Sequence, residues 1–233
     1  MTRTQIWHST RYDLYPTSTI TKGFQNLLHV YLDKNSGKII DIGCGQSPFI
    51  LSMIENDFSF LAIDEEPYAI KYLKKRVVDI DEKHLKKIRF ANDSFEDIIF
   101  DEPKFDGVVL CNFIHFLTKA EGRSHVKFIR SISNIGAIWY IKVHSKKHPH
   151  LGSEGNYFKS FYDRDDINSL FPEEDFEQLH FAETEHLIAE EEKRFMRLHA
   201  QRYYGTGKEE LVEKHIKDNE RSASIEIVLR QLK

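Results

Sequence analysis

Short apolar runs alternate with helix-spaced stretches over residues 38–143. Lys38–Ile42, with Ile39, Ile40 and Ile42, predicts a buried strand, and Pro48–Asn56 a helix. The pattern then repeats as strand Ser59–Ile63, helix Pro67–Val78 (Ile70, Leu73 and Val77 in line), and strands Lys87–Ala91 and Phe105–Cys111. Helix Lys119–Ser133, with Val126, Ile129 and Ile132 inward, and strand Ala137–Val143 complete the series. Ahead of it, Thr21–Lys34 reads as a helix with Phe24, Leu27, Leu28, Tyr31 and Leu32 on one face. Residues 1–19 read as an irregular, aromatic-rich segment. Such alternation predicts an α/β fold, a parallel sheet with helices on both faces, and right-handed crossovers leave few ways to connect it.

The C-terminal third differs. Asp175–Glu183 and Ala223–Leu232 read as strands, the second alternating through Ile225, Ile227 and Leu229. Between them lies a stretch rich in Glu, Lys and Arg at helical spacing. Leu187, Ile188, Phe195 and Leu198 predict one helix there, Gly205-Thr-Gly207 a break, and Leu211, Val212, His215 and Ile216 a second helix.

Chemistry enters at the end of the first strand. Asp41-x-Gly43-x-Gly45 passes into Ser47-Pro48, a tight turn followed by a helix start. Ser47 suits the N-cap and Pro48 the first helical position, whose N–H would be unpaired anyway. Glycine in such a turn permits positive φ and close backbone approach to a ligand. Asp64 ends the next strand about 20 residues on, where a carboxylate takes ribose hydroxyls in nucleotide folds. A dinucleotide turn would place a third glycine where this chain has Pro48. Asp64 also has a plain alternative role as a helix cap before Glu65-Glu66-Pro67.

Asp41-x-Gly43-x-Gly45 resembles the D-x-G-x-G signature of class I S-adenosylmethionine-dependent methyltransferases, with Ser47 standing where that family often has another glycine. The resemblance implies a Rossmann-like, mostly parallel seven-stranded sheet with helices on both faces, an antiparallel edge strand and a helical insertion before the last strand. It implies S-adenosylmethionine as cofactor, with Asp41, Gly43, Cys44 and Gly45 near its methionine ammonium and Asp64 with Glu65 at the ribose. Asp93 would accept from the adenine amine, with the backbone of Ser94 at a ring nitrogen, and Cys111 and Asn112 would line the methyl end. Asp93 is equally readable as an ordinary turn residue. The family's sixth and seventh strands are usually closely connected, so residues 185–222 are a departure: a lid over the substrate, which is favoured, or an interface with a second subunit.

One domain is expected over 1–233: an N-terminal cover segment and helix (1–36), a cofactor-binding core (37–184), the insertion (185–222) and the last strand (223–233). Trp7, Tyr12 and Tyr15 would cover the site or pack on the sheet edge. His115, in Asn112-Phe113-Ile114-His115, is the candidate acid–base group, because an unperturbed imidazole titrates near neutral pH; a packing histidine is the alternative. Cys111 lacks a basic neighbour that would favour a thiolate. His144-Ser-Lys-Lys-His148-Pro-His150 fits no common metal-ligand spacing and reads as a solvated basic rim able to attract an anion. Gly152-Ser-Glu-Gly155 reads as a flexible loop before Tyr157, Phe158, Phe161 and Tyr162.

Composition narrows the partners. A formal net charge of −4 argues against a broad basic surface for nucleic acid, and Cys111-Asn112-Phe113-Ile114 is not the Pro-Pro-aromatic motif of amino-methylating nucleic-acid enzymes. Two cysteines make no disulfide framework, and no apolar signal core or membrane-length run occurs, so a cytoplasmic monomer or homodimer is expected. The expected activity is methyl transfer to an unidentified small molecule. A nucleic-acid methyltransferase and a non-catalytic cofactor-binding partner subunit are the alternatives.

Overall fold

The computed structural model describes residues 1–32, 34–98, 100, 104–153 and 158–233. Its centre is one seven-stranded sheet of β1 (Ser36–Ile42), β2 (Asp57–Ile63), β3 (Ile88–Ala91), β4 (Phe105–Cys111), β5 (Ser133–His144), β6 (Phe176–Leu187) and β7 (Arg221–Gln231). The spatial order is β3-β2-β1-β4-β5-β7-β6. Strands β1 to β5 pair in parallel, while β7 runs antiparallel to both β5 and β6. The reversed strand is therefore one in from the edge, and β6 points the same way as β5. The chain leaves β1 toward β2 and β3, then returns to β4 on the other side of β1. That reversal places the crevice for a ligand at the carboxyl ends of β1 and β4.

Alternate residues of each strand feed two apolar layers. Trp139, Ile141 and Val143 of β5 enter one layer with Leu61, Val108 and Ile227. Ile138 and Tyr140 enter the other with Ile39, Phe60 and Val109. The helices are α1 (Arg3–Leu14), α2 (Thr17–Gly23), α3 (Leu27–Tyr31), α4 (Pro48–Met53), α5 (Pro67–Ile80), α6 (Lys119–Ser131), α7 (Arg164–Leu170), α8 (Glu190–Tyr204) and α9 (Glu209–Asp218). None of the described helices is long and apolar enough to cross a membrane.

Four expectations change. Residues 1–19 are not irregular: α1 forms there under a capping box, with Gln5 N–H donating to Thr2 Oγ1 at 3.2 Å and Thr2 N–H to Gln5 Oε1 at 3.0 Å. The Thr21–Lys34 helix is two shorter ones, because Asn26 caps α3 by accepting from His29 N–H at 3.2 Å. Helix α7, capped by Asp163 over Asp166, is additional to those read from the pattern. Strand β6 extends to Leu187 and so ends at the same edge as β1, β2 and β4. The inserted pair α8–α9 consequently springs from the ligand edge.

Candidate functional site

Four turns meet at that edge, and the turn after β1 organises the others. Gly43 and Gly45 both have positive φ, +66° and +55°. The reasons for glycine differ. A Cβ on Gly43 would lie 2.9 Å from Cδ2 of Phe113, whereas one on Gly45 would meet nothing within 4 Å. Gly43 thus makes room for a ring of the protein, while Gly45 borders open space that a ligand can enter.

The turn's own amides are largely used. Cys44 N–H donates to Ile63 O at 2.9 Å, Ser47 N–H to Cys44 O at 2.8 Å, and Ile50 N–H to Ser47 Oγ at 3.1 Å. Ser47 is the N-cap with Pro48 following, as the residue types predict, and its hydroxyl donates to Asp41 Oδ2. Asp41 is only 2% exposed. Burial, with a smaller contribution from the charge of Asp64, pushes its carboxyl up to about 7, against the pull of Ser47.

Asp64 locks two turns together by accepting from Gly45 N–H at 2.8 Å and Glu66 N–H at 3.0 Å. Burial holds its pKa above the ordinary value despite those bonds. It does not cap α5; Glu66 does, accepting from Tyr68 N–H at 3.2 Å. Glu65 is exposed beside it. Asn92 ties the end of β3 to this turn by donating to Asp64 O at 2.8 Å, leaving Asp93 exposed and Ser94 half-buried, its hydroxyl 2.8 Å from Asp97 Oδ2. After β4, Asn112 adopts φ 57° with its N–H on Lys142 O at 2.8 Å. Asparagine tolerates this left-handed geometry better than most side chains. Cys111 beside it is half-buried, its thiol pushed up to about 12 by burial. The surroundings are acidic and the turn amides are occupied, a donor set suited to a ligand with hydroxyls and positive charge and unsuited to a pyrophosphate.

His115 lies at the same edge in a different environment. It is 1% exposed and stacks on His144 at 4.1 Å, with Phe116 and Phe158 rings at 4.5 and 4.9 Å. Burial, then the neighbouring His144 and His148, pushes its pKa down to about 2, and its Nδ1 has no hydrogen-bond partner among the described residues. The titration near neutrality that recommends an exposed imidazole as an acid–base group is therefore lost here. The solvated basic rim is not formed either. His144 and His148 are held near 3 and 4, chiefly by burial. Lys146 pairs with Asp163 and Asp166 at 2.6 and 2.9 Å, and Lys147 with Glu183 and Glu185 at 3.1 and 3.4 Å. Among the described residues no group of three or more His, Cys, Asp or Glu is placed to hold a metal ion. Glu154, Gly155 and Tyr157 of the proposed loop lie outside the described residues.

Sheet register brings in residues that the motifs miss. Cys111 of β4 pairs with Lys142 of β5, and Lys142 with Glu226 of β7; Asp41 pairs with Val109, and Val109 with Tyr140. Tyr140 donates its hydroxyl to Glu226 Oε1. The alternation of β5 carries half of this signal, since Tyr140, Lys142 and His144 share one face, but the pairing with β7 is long-range.

Over this edge sit α1, α8 and α9. Trp7 packs on Phe195 and His199 at 4.4 and 5.2 Å, and Tyr15 donates its hydroxyl to Glu191 O at 3.2 Å. Arg202 pairs with Asp13 at 2.8 Å. Helix α9 reaches toward the turn after β5, its His215 and Asp218 lying within electrostatic reach of His150. The inserted pair thus packs against the N-terminal helix, which itself touches the glycine turn through His8 and Gln46.

Residues 39–134, from β1 to the start of β5, match the family model described as a methyltransferase domain. No curated protein matches the sequence. Among solved structures, the fold is similar to a S-adenosylmethionine-dependent methyltransferase of Methanosarcina mazei, with TM-score 0.61 and 16% identity over 90% of this chain and 98% of that one. It is similar to YjhP of E. coli, with TM-score 0.65 and 13% identity over 97% and 99% of the two chains. A third is geranyl diphosphate C-methyltransferase of Streptomyces coelicolor, solved with Mg2+, geranyl diphosphate and S-adenosyl-L-homocysteine, with TM-score 0.57 and 10% identity over 92% and 80%.

Two stability predictions follow from this geometry. Gly43→Ala, which combines positive φ with the Phe113 contact, is expected to cost about 2–3 kcal/mol, and Gly45→Ala about 1 kcal/mol, in urea unfolding. Acidification acts through buried imidazoles: His8, His115, His144, His148 and His199 sit at about 4, 2, 3, 4 and 4 against an ordinary 6.5. Between about pH 6.5 and 4 the unfolded chain binds protons that the folded chain refuses, so stability drops as pH falls. Asp41, folded at about 7, works in the opposite sense and adds stability as pH falls through 7. Five imidazoles outweigh the raised carboxyls of Asp41 and Asp64, and the urea midpoint should decline from pH 7 to pH 5; a flat profile would contradict the buried, neutral stack.

Proposed function

We propose that this chain, a class I S-adenosylmethionine-dependent methyltransferase with its methyltransferase domain over residues 39–134, transfers a methyl group to a small-molecule acceptor beneath the α1–α8–α9 cap. The observation that carries this reading is the acidic, internally bonded turn of Asp41, Ser47, Gly45 and Asp64, with open space over Gly45. S-Adenosylmethionine, its cofactor, supplies a methyl group already activated on a sulfonium. The protein's part is then to orient the acceptor in line, exclude water and, for acceptors that must lose a proton, receive it.

In this assignment Asp64 takes the ribose hydroxyls on the lone pairs that Gly45 and Glu66 leave free, with Glu65 at the rim. Asp41, through the backbone of Gly43, Cys44 and Gly45, provides negative charge for the ammonium end. Asp93 accepts from the adenine amine, with Ser94 N–H at the ring, and the left-handed backbone of Cys111–Asn112 lines the methyl end. His115 shapes the acceptor side as a neutral stacked ring and does not serve as the base. Glu226, one strand beyond Lys142 from Cys111, is the better proton acceptor by position. The small-molecule reading is supported over nucleic acid by the net charge of −4, which argues against a broad basic surface.

Calorimetry tests the cofactor assignment. S-Adenosylmethionine and S-adenosylhomocysteine are expected to bind and NAD is not, and Asp64→Ala should weaken S-adenosylhomocysteine at least about tenfold, the loss of about 1.4 kcal/mol. Binding of NAD alone, or unchanged affinity in Asp64→Ala, would sink it. Because Asp41 is half-protonated near pH 7, affinity should rise as pH increases from 6 to 8, and Asp41→Asn should flatten that rise. Transfer of labelled methyl into a metabolite extract, against none into RNA or DNA, tests the acceptor class.

A further inference from the structure

Beneath the N-terminal helix lies a buried cation held by neutral oxygen acceptors. Arg76 of α5 is fully buried. Its Nε donates to Gln46 Oε1 at 2.7 Å and its Nη2 to Arg11 O at 2.9 Å, while Nη1 donates to Tyr15 O. Two of these three acceptors are carbonyls at the C-terminal end of α1, where the helix dipole places negative charge. Tyr12, also on α1, covers the guanidinium with its ring at 5.1 Å and donates to Asp79 of α5 at 2.9 Å. Gln46 completes the circuit. It belongs to the glycine turn, and its Nε2 donates to His8 O at 2.7 Å.

Lifting α1 would strip Arg76 of two partners and Gln46 of one, and would expose Trp7 and Tyr15 from their packing on Phe195. Leaving a buried guanidinium without partners is costly. The docked position of α1 is therefore tied to the register in which the turn presents Gln46. The same turn, two residues away at Gly45 and Ser47, holds Asp64 and Asp41.

We infer that Gln46 and Arg76 are positioning residues that couple filling of the adenosyl site to docking of α1, and through Trp7–Phe195 to closure of the α8–α9 cap. The inference rests on the adenosyl reading proposed above. It makes the cap a thermodynamic partner of the cofactor, so a ligand on the turn stabilises α1 and a docked α1 strengthens the ligand by the same factor.

The test uses the full chain with S-adenosylhomocysteine as probe. Of two tryptophans, Trp139 is fully buried, so acrylamide quenching reports on Trp7 of α1. In the wild type, saturating probe is expected to reduce that quenching and to slow amide exchange across 3–14 and 190–204 about tenfold. In Gln46→Met, which keeps side-chain length and loses both hydrogen bonds, the probe should still bind, about tenfold more weakly, and exchange in 3–14 should no longer respond to it. Arg76→Lys, which keeps the charge and loses the fork, should retain part of the response. A merely structural role predicts something else: faster exchange in 3–14 with and without probe, and an intact response. That result, or probe binding to the wild type with no change at Trp7 or α1, overturns the coupling while calorimetry leaves the adenosyl site standing. Failure of the wild type to bind the probe at all overturns the adenosyl reading itself. Should Arg76→Lys fail to fold, as thermal unfolding would reveal, the uncharged Gln46 variant decides.

Discussion

The edge of this sheet is organised by one carboxylate that accepts from two different turns. Asp64, at the end of β2, takes Gly45 N–H from the first turn and Glu66 N–H from the second. Without it two backbone donors would be orphaned in a half-buried crevice, and the positive φ of Gly45 would have no bond to fix it. Asp41 depends on the same geometry, since Ser47 reaches it only from the turn that Asp64 anchors. Gln46 does too, and through it the N-terminal helix. A local electrostatic arrangement thus sets the position of elements remote in sequence, from His8 to Arg76.

The β1–β5 portion of the sheet was legible because strand ends are simple to see. Apolar runs stop at polar or glycine residues, and Asp41–Gly45, Asp64, Asp93 and Cys111–Asn112 all follow such stops, close to the ends observed for β1, β2, β3 and β4. The Ser47-Pro48 helix start is as local a signal and formed as read. Helix α1 was obscured because its buried set, Ile6, His8, Ser9 and Thr10, is mostly polar and faces the cap and α5. Apolar periodicity cannot register a helix held by Arg76 and Gln46; only the Thr2–Gln5 capping box announced it. The Thr21–Lys34 stretch erred in the other direction, since its apolar face is real but Gly23 and Asn26 interrupt the backbone that carries it.

Site chemistry was less legible than site location, and His115 shows why. Its place after β4 could be read from the pattern, but its ionisation depends on His144 and Phe158, brought against it by β5 and by the segment that returns to pair Tyr162 with Ser145. The lysines after β5 looked free for the same reason. Their partners Asp163, Asp166 and Glu183 come from α7, its cap and β6. Tyr140 and Glu226 are 86 residues apart, a separation that no spacing rule spans. Charge state is a property of packing, and packing of this kind is assembled last.

These charge states divide the ligand edge into two unlike halves. At β1 and β2 the buried carboxyl of Asp41 and the half-buried one of Asp64 are raised above the ordinary carboxylate range by burial, against the pull of the turn hydrogen bonds. Beyond β5 the imidazoles are neutral and the lysines paired with carboxylates, so the stack presents ring faces and the Nδ1 atoms of His115 and His144, which no described residue bonds. Under the proposed assignment the cofactor's positive charge belongs to the first half. An acceptor placed against the second would be sorted by shape and by hydrogen bonds to uncharged nitrogens, because a charged group desolvated there would find no compensating charge among these rings.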